Sequence, residues 1–268
     1  MPRGLTLYMI PRARIAEWTP EDVLNKLDGA RLEELRRYFE EAGDKVSLRR
    51  LEALSKTIVD LAGSFSKQYA TSRDARLLFS YSFRLKFSYF SRGERRTVEH
   101  EALIEHDVWV RLRSGLFIVF DAPLKRISRV ISELASLRLF GDPTVIAPLK
   151  LDRSAIEAIE DWVTSKEYPV SGNIMRASFR RTRLDNSILD EVSIKKEGLD
   201  TTKIYEDIKG SSHELSSITF VTPLLPEINR RLTCRLDSRG GLLIYTPNVR
   251  REDIDVLILY LEKVLKLE

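Results

Sequence analysis

The sequence predicts an α+β fold: an N-terminal helical bundle, then a mostly antiparallel sheet with helices packed on one face. Three observations carry this expectation. Apolar residues recur at helical spacing up to about residue 72. Aromatic and polar residues alternate strictly from Phe79 to Tyr89. Beyond that, short apolar runs and glycine turns alternate with longer helical stripes, as in a sheet layered with helices.

After a short apolar start, Leu5–Ile10, the run Thr19-Pro20-Glu21-Asp22 combines an N-cap residue, a proline at the first helical position and a capping-box acid. Arg31–Glu41 follows with Leu32, Leu35 and Tyr38 or Phe39 at helical spacing, and Gly43 stops it. Ser47 is expected to open a longer helix whose stripe is Leu48, Leu51, Leu54, Ile58 and Leu61.

Phe79, Tyr81, Phe83, Leu85, Phe87 and Tyr89 then predict a strand with one buried aromatic face. Thr97–Val110 and Gly115–Phe120 read as further strands turning at Ser114-Gly115, and Pro123 opens a helix that Gly141 ends. A short strand over Thr144–Lys150 leads to a helix capped by Asp152. Ile174–Leu184, Ile188–Lys195, Leu215–Val221, Arg230–Leu236 and Gly241–Thr246 read as strands, and a long helix from Arg250 closes the chain.

The expected division is a helical module at 1–72 and an α+β domain at 73–268, with candidate halves 73–151 and 152–268. The halves are suggested because Val108–Leu139 and Arg231–Leu267 share the plan strand, glycine turn, strand, helix.

At 268 residues, 43% hydrophobic and 31% charged, the chain is expected to be globular. Cys234 stands alone, which excludes an intrachain disulfide and a cysteine-type zinc site. The N-terminus is too short and polar for a signal peptide, and Glu262 and Lys263 interrupt the most apolar run. A cytoplasmic protein is expected, nucleoid-associated in a prokaryote, with no membrane partner and no cofactor.

Charge is sorted along the chain. Seven basic residues face two acids between Arg73 and Arg96, and four arginines face none between Ser171 and Leu184. Six arginines face Asp237 alone between Ile228 and Arg251, whereas Asp185–Glu227 holds nine acids against four lysines. All three cationic segments fall in predicted strand regions. Strand alternation sets Arg84 and Lys86, then Trp109, Arg111 and Arg113, then Arg176 and Arg180, then Arg231 and Arg235 as a candidate outward face, with Arg95 and Arg96 extending it and Arg181 and Arg183 as further binding candidates in the acid-free segment. Such a face suits a phosphate backbone, and an outward tryptophan could stack on a base. Against this, Glu99, Glu101 and Glu105 alternate on the strand between two basic ones and could neutralise the face as cross-strand pairs. The arginine excess, 30 against 14 lysines, also suits a thermophilic or high-GC host.

Enzyme signatures are sparse. His100 and His106 share a strand face but sit some ~20 Å apart by strand rise, and Asp107 and Asp121 read as turn residues. No metal site or catalytic set is expected.

The helical stretch Thr19–Leu61, the runs Val108-Trp109-Val110-Arg111-Leu112 and Leu116–Phe120, and Val145–Val163 with its junction Pro148-Leu149-Lys150-Leu151-Asp152-Arg153-Ser154 resemble the centromere protein N family. That family joins a small helical module to a part related to the TATA-binding-protein fold, and the C-terminal strand–strand–helix is similar to half of that fold. The resemblance implies a non-enzymatic protein associated with DNA or chromatin. The first expectation is thus a nucleic-acid-binding protein, DNA ahead of RNA. The alternatives are a protein–protein scaffold docking through residues 1–72 or the C-terminal helix, and a metal-dependent nuclease.

Overall fold

The structure is a computed structural model that describes residues 2–55, 58–122, 125–184, 187–195, 202, 203, 205, 207 and 212–267, with side chains described at all of these except 181–184, 187–191 and 212–215. Its class is α+β with antiparallel strand pairing throughout the described ladders. The chain divides into two compact units, residues 9–147 and residues 1–8 with 148–268.

In the first unit, Thr19 caps helix α1 (Pro20–Leu27) through the expected box: its hydroxyl accepts from the Asp22 amide and the Asp22 carboxylate accepts from its own. Helix α2 (Leu32–Glu41) buries Leu32, Leu35 and, of the two aromatics the spacing offered, Phe39. Helix α3 (Lys45–Ser55) is shorter than predicted. Ile58 and Leu61, placed on its stripe by spacing, begin strand β2 (Ile58–Ala70) instead. From Asp60 onward the period is two, not 3.6: Leu61, Gly63 and Phe65 are buried between less buried neighbours. The positive φ at Asp60 and Leu61 marks a bulge, and the pairing with the next strand slips there. Spacings of 54, 58 and 61 fit a helix by coincidence with that bulge.

Strand β3 (Asp74–Ser91) and strand β4 (Glu94–Arg111) form a long hairpin closed by Arg92 and Gly93, both at positive φ. Strand β5 (Leu116–Phe120) and helix α4 (Lys125–Phe140) complete the unit, whose strand order is β2-β3-β4-β5. Phe65, Phe79, Tyr81, Val108, Val110, Phe117 and Val119 pack against Leu27, Leu32, Leu35, Ile131 and Leu134 to make its core. The predicted aromatic face is buried only as far as Tyr81. Phe87 and Tyr89 are about half exposed, and Phe90 is 78% exposed. The reason is the reach of the flanking strands: β2 stops at Phe83 and β5 at Val108, so the hairpin runs on as a two-stranded arm.

The second unit receives strand β1 (Arg3–Met9), a strand where only an apolar lead into helices was expected. The two-residue strand β6 (Ala147–Pro148), all that forms of the predicted 144–150 strand, pairs with β1. Helix α5 (Arg153–Thr164) is capped by Asp152, as its sequence predicts. Strands β7 (Asn173–Leu184), β8 (Ser187–Lys195), β9 (Ser212–Val221), β10 (Thr233–Asp237) and β11 (Gly241–Ile244) follow, then helix α6 (Arg251–Val264).

The strand order of this unit is β1-β11-β10-β9-β7-β8. One sheet face, with Leu5, Leu7, Ile174, Phe179, Ile218, Phe220, Leu236 and Leu242, is buried with Ile159, Trp162, Leu257 and Leu261 of α5 and α6. Arg230 is structural here. It ion-pairs with Asp253 at 2.9 Å and donates to the carbonyls of Pro247 and Asn248, so it locks the start of α6. Gly240 has φ +77°, and a Cβ there would meet the Leu7 carbonyl at 2.4 Å, so the β10–β11 turn requires glycine to lie against β1.

Candidate nucleic-acid interface

The opposite face of the second unit's sheet exposes Arg176, Arg180, Ser193, Lys195 and Arg235 but buries Ser178 and Ser217 among them, and cross-strand register arranges its side chains in rows. Lys195 on β8 pairs with Arg176 on β7, Arg176 with Thr219 on β9, and Thr219 with Arg235 on β10. Strand spacing of ~4.8 Å makes this row roughly 14 Å long. Arg176, Lys195 and Arg235 are exposed. Hydroxyls, not carboxylates, hold the two arginines. Arg176 donates to Ser193 Oγ at 2.9 Å, and Arg235 donates to Ser217 Oγ at 3.3 Å. Among the described residues no carboxylate lies within ion-pair distance of Arg176, Lys195, Arg231 or Arg235. Arg231 lies half-buried just before β10 and donates to the Thr222 carbonyl at 3.2 Å.

The next row along the face is Ser193, Ser178, Ser217 and Asp237, and Ser178 and Ser193 share a hydrogen bond of 3.1 Å. The row beyond it differs in charge. Arg180 is flanked in register by Glu191 on β8 and Glu214 on β9. The segment Ser171–Leu184 has no acid in sequence, yet the neighbouring strands bring one to each side of Arg180. Arg181 and Arg183 lie on β7, and their side chains fall outside the described residues.

The β3–β4 hairpin carries the other predicted residues, and there the glutamates do meet the basic groups. Lys86 pairs with Glu99, and Arg84 lies 3.9 Å from both Glu99 and Glu101. The hydrogen bond from Lys86, then its charge, holds the Glu99 carboxyl below the usual range. Glu105 lies opposite Ser80. Towards the tip, Arg95 donates to Ser88 Oγ at 3.4 Å and Arg96 lies 4.0 Å from Glu94.

At the base of the hairpin the expected outward placement of Trp109 and Arg111 is corrected: they are 1% and 3% exposed. They do share a sheet face with Arg84 and Lys86, as alternation required. That face closes over here. The Arg76 guanidinium lies 3.5 Å from the centre of the Trp109 ring, which meets Phe120 at 4.3 Å. Asp74 pairs with Arg76 at 2.7 Å and reaches Arg111 at 3.7 Å. Trp109 is therefore a packing residue and Arg111 part of a buried ion cluster. Arg113 lies past the end of β4, exposed in the turn to β5.

His106 is buried, with Nδ1 3.0 Å from the Phe120 carbonyl and Nε2 3.3 Å from the Tyr81 hydroxyl, and burial lowers its pKa. His100 sits on the exposed arm. Among the described residues no three His, Cys, Asp or Glu side chains gather as a metal site. Cys234 is fully buried, which pushes its thiol pKa up and keeps it a small apolar core residue. No helix among the described residues is long and apolar enough to cross a membrane.

Sequence reasoning missed Lys195 and the serines. The signal for Lys195 was its place at the end of an alternating strand, but its acid-rich surroundings concealed it. No protein-family model matches this sequence, and no curated protein matches it significantly.

Proposed function

We propose that this chain binds nucleic acid through the backbone phosphates, on the open face of the second unit's sheet. The observation that carries the reading is the row Lys195–Arg176–Thr219–Arg235, three exposed cations across four strands without a carboxylate among them. Like charges directly opposite on neighbouring strands, as Arg176 and Lys195 are, cost stability. An anionic partner offsets that cost. The hydroxyls of Ser193, exposed, and Thr219, partly exposed, supply further donors to phosphate oxygens on the same face. The resemblance to DNA-associated families agrees with duplex DNA as the first form to test.

The test is fluorescence anisotropy of labelled duplex DNA, single-stranded DNA and RNA across a salt series. Tight binding to one form, with log affinity falling steeply against log salt, is expected. Flat anisotropy with all three at low salt overturns the reading. A second reading, a protein–protein adaptor, draws on the β3–β4 arm, where Phe87, Tyr89, Phe90 and Leu103 stand exposed. Binding that survives high salt and depends on Phe90 would favour it.

A further inference from the structure

The row across the second unit's sheet does not end at Arg235. Register carries it on to Leu243 on β11, opposite Arg235, and then to Gly4 on β1, opposite Leu243. Tyr245 follows two residues after Leu243, so alternation sets it on the same open face, while Leu242 and Ile244 are buried. Leu243 is 37% exposed and Tyr245 42%. Apart from Val170, they are the large apolar side chains that the described residues of this unit leave exposed. An aromatic ring and an aliphatic side chain thus adjoin the cations on one face.

The backbone around Tyr245 is held on both sides. The Tyr245 amide donates to the Thr233 carbonyl at 2.8 Å, and Thr246 Oγ1 accepts from the Thr233 amide at 2.7 Å. Arg230 donates to the carbonyls of the next two residues, Pro247 and Asn248. The ring has no stacking partner. Among the described residues no aromatic ring and no cation lies over it. The Arg235 guanidinium reaches away from β11, to Ser217 Oγ on β9 at 3.3 Å. A tyrosine anchored in this way needs little ordering to accept a flat ligand, which favours binding.

We propose that this face takes single-stranded nucleic acid, with one base stacked on Tyr245; the proposal rests on the reading of the sheet face as a phosphate-binding surface. Arg235 and Tyr245 are diagonal neighbours on adjacent strands. Such residues lie ~7–8 Å apart, within reach of aromatic and long side chains. A nucleotide with its base on Tyr245 can therefore set a phosphate at Arg235. The phosphates beyond it run on to Arg176 and Lys195, two and three strands away. A duplex keeps its bases stacked inside and offers this face only its backbone, whereas every base of a single strand has a free ring face to give. Stacking tolerates any base, so the site reads strandedness and not sequence. Tyr245 takes the stacking role for which Trp109, being buried, is not available.

The test is anisotropy with a short labelled single strand, its duplex, and an abasic strand of equal length that keeps the phosphates and lacks the bases. At one salt concentration the single strand is expected to bind at least about fivefold tighter than either of the others. Tyr245→Ala should remove that advantage, and Tyr245→Phe, which keeps the ring, should retain it within about twofold. Tyr245→Leu, apolar but without a ring, should behave as the Ala variant does and guards against a folding defect in it. Duplex affinity and the salt slope should stay unchanged in all three, since no charge is lost. A matched RNA strand is run beside the DNA, and the tighter of the two names the sugar. The two readings fail separately. If Arg176→Ala with Lys195→Ala and Arg235→Ala weakens every form, but single and abasic strands bind alike, the stacking site is overturned and the sheet-face reading stands. A single-strand preference that survives Tyr245→Ala and Tyr245→Leu, or that Tyr245→Phe also loses, overturns the stacking site as well. No binding of any form overturns both.

Discussion

The β3–β4 hairpin and the open face of the second unit's sheet start from the same kind of sequence, basic residues on alternate strand positions, and end in opposite electrostatic states. On the hairpin the strand opposite Arg84 and Lys86 carries Glu99 and Glu101, and the charges pair. On the sheet face the strands beside Arg176 and Arg235 carry Ser193, Thr219 and Ser217, and the charges stay available. A hydroxyl fixes a guanidinium without cancelling it, whereas a carboxylate does both. The lesson is that a basic segment becomes a basic surface only when its cross-strand neighbours are neutral.

The largest effect should come at the hairpin's base, where the arm becomes core. Trp109→Ala removes a fully buried ring, and with it the closer of the two aromatic rings that the Arg76 guanidinium lies over. It is expected to lower stability by about 3–5 kcal/mol, read from urea unfolding. A loss below about 1 kcal/mol would mean that the ring is less integral than its burial indicates.

Next is the sharpest test of the contrast. Arg176→Ala, Lys195→Ala and Arg235→Ala together should weaken duplex DNA binding by about a hundredfold and reduce the salt slope by about 3. Arg84→Ala with Lys86→Ala should change affinity by no more than about twofold, since those charges are already paired. Equal losses in the two variants, measured by anisotropy at one salt concentration, would erase the distinction.

A smaller change should turn one region towards the other. Glu99→Gln with Glu101→Gln frees Arg84 and Lys86, so DNA affinity should rise severalfold while stability moves by less than about 1 kcal/mol. Unchanged affinity would show that the hairpin never meets the nucleic acid.

The smallest effect is a pH dependence at the hairpin's core end. Burial holds the folded pKa of His106 below its ordinary value of 6.5, so the unfolded chain takes up the proton first. Its contribution to stability is full above that value and is lost as pH falls through and below it. Urea midpoints measured between pH 7.5 and 5.5, values on either side of an imidazole's ordinary range, should drop on acidification, and His106→Gln should flatten that part of the curve.

Much of the local structure was legible. Thr19 and Asp152 announced their helices because an N-cap needs only residues three positions away. The β3 alternation announced its strand and the shared face of Arg84, Lys86, Trp109 and Arg111. What failed depended on distant partners. Ile58 and Leu61 fit a helical stripe until β3 paired with them. Phe87 and Tyr89 looked buried because alternation shows two faces without showing whether anything covers them. Arg180 looked free of acids because Glu191 and Glu214 lie in other strands, and Lys195 looked diluted by the acids around it in sequence.

By itself, then, the sequence determined the α+β class, the helix caps, the turns and which residues alternate on a strand, since each follows from backbone geometry over a few neighbouring positions. Only the tertiary structure decided which basic residues lack a carboxylate across the strands and which aromatics are covered. Those outcomes hang on register and packing between residues far apart in the chain, and a one-residue slip in register would reverse the face of every side chain on a strand.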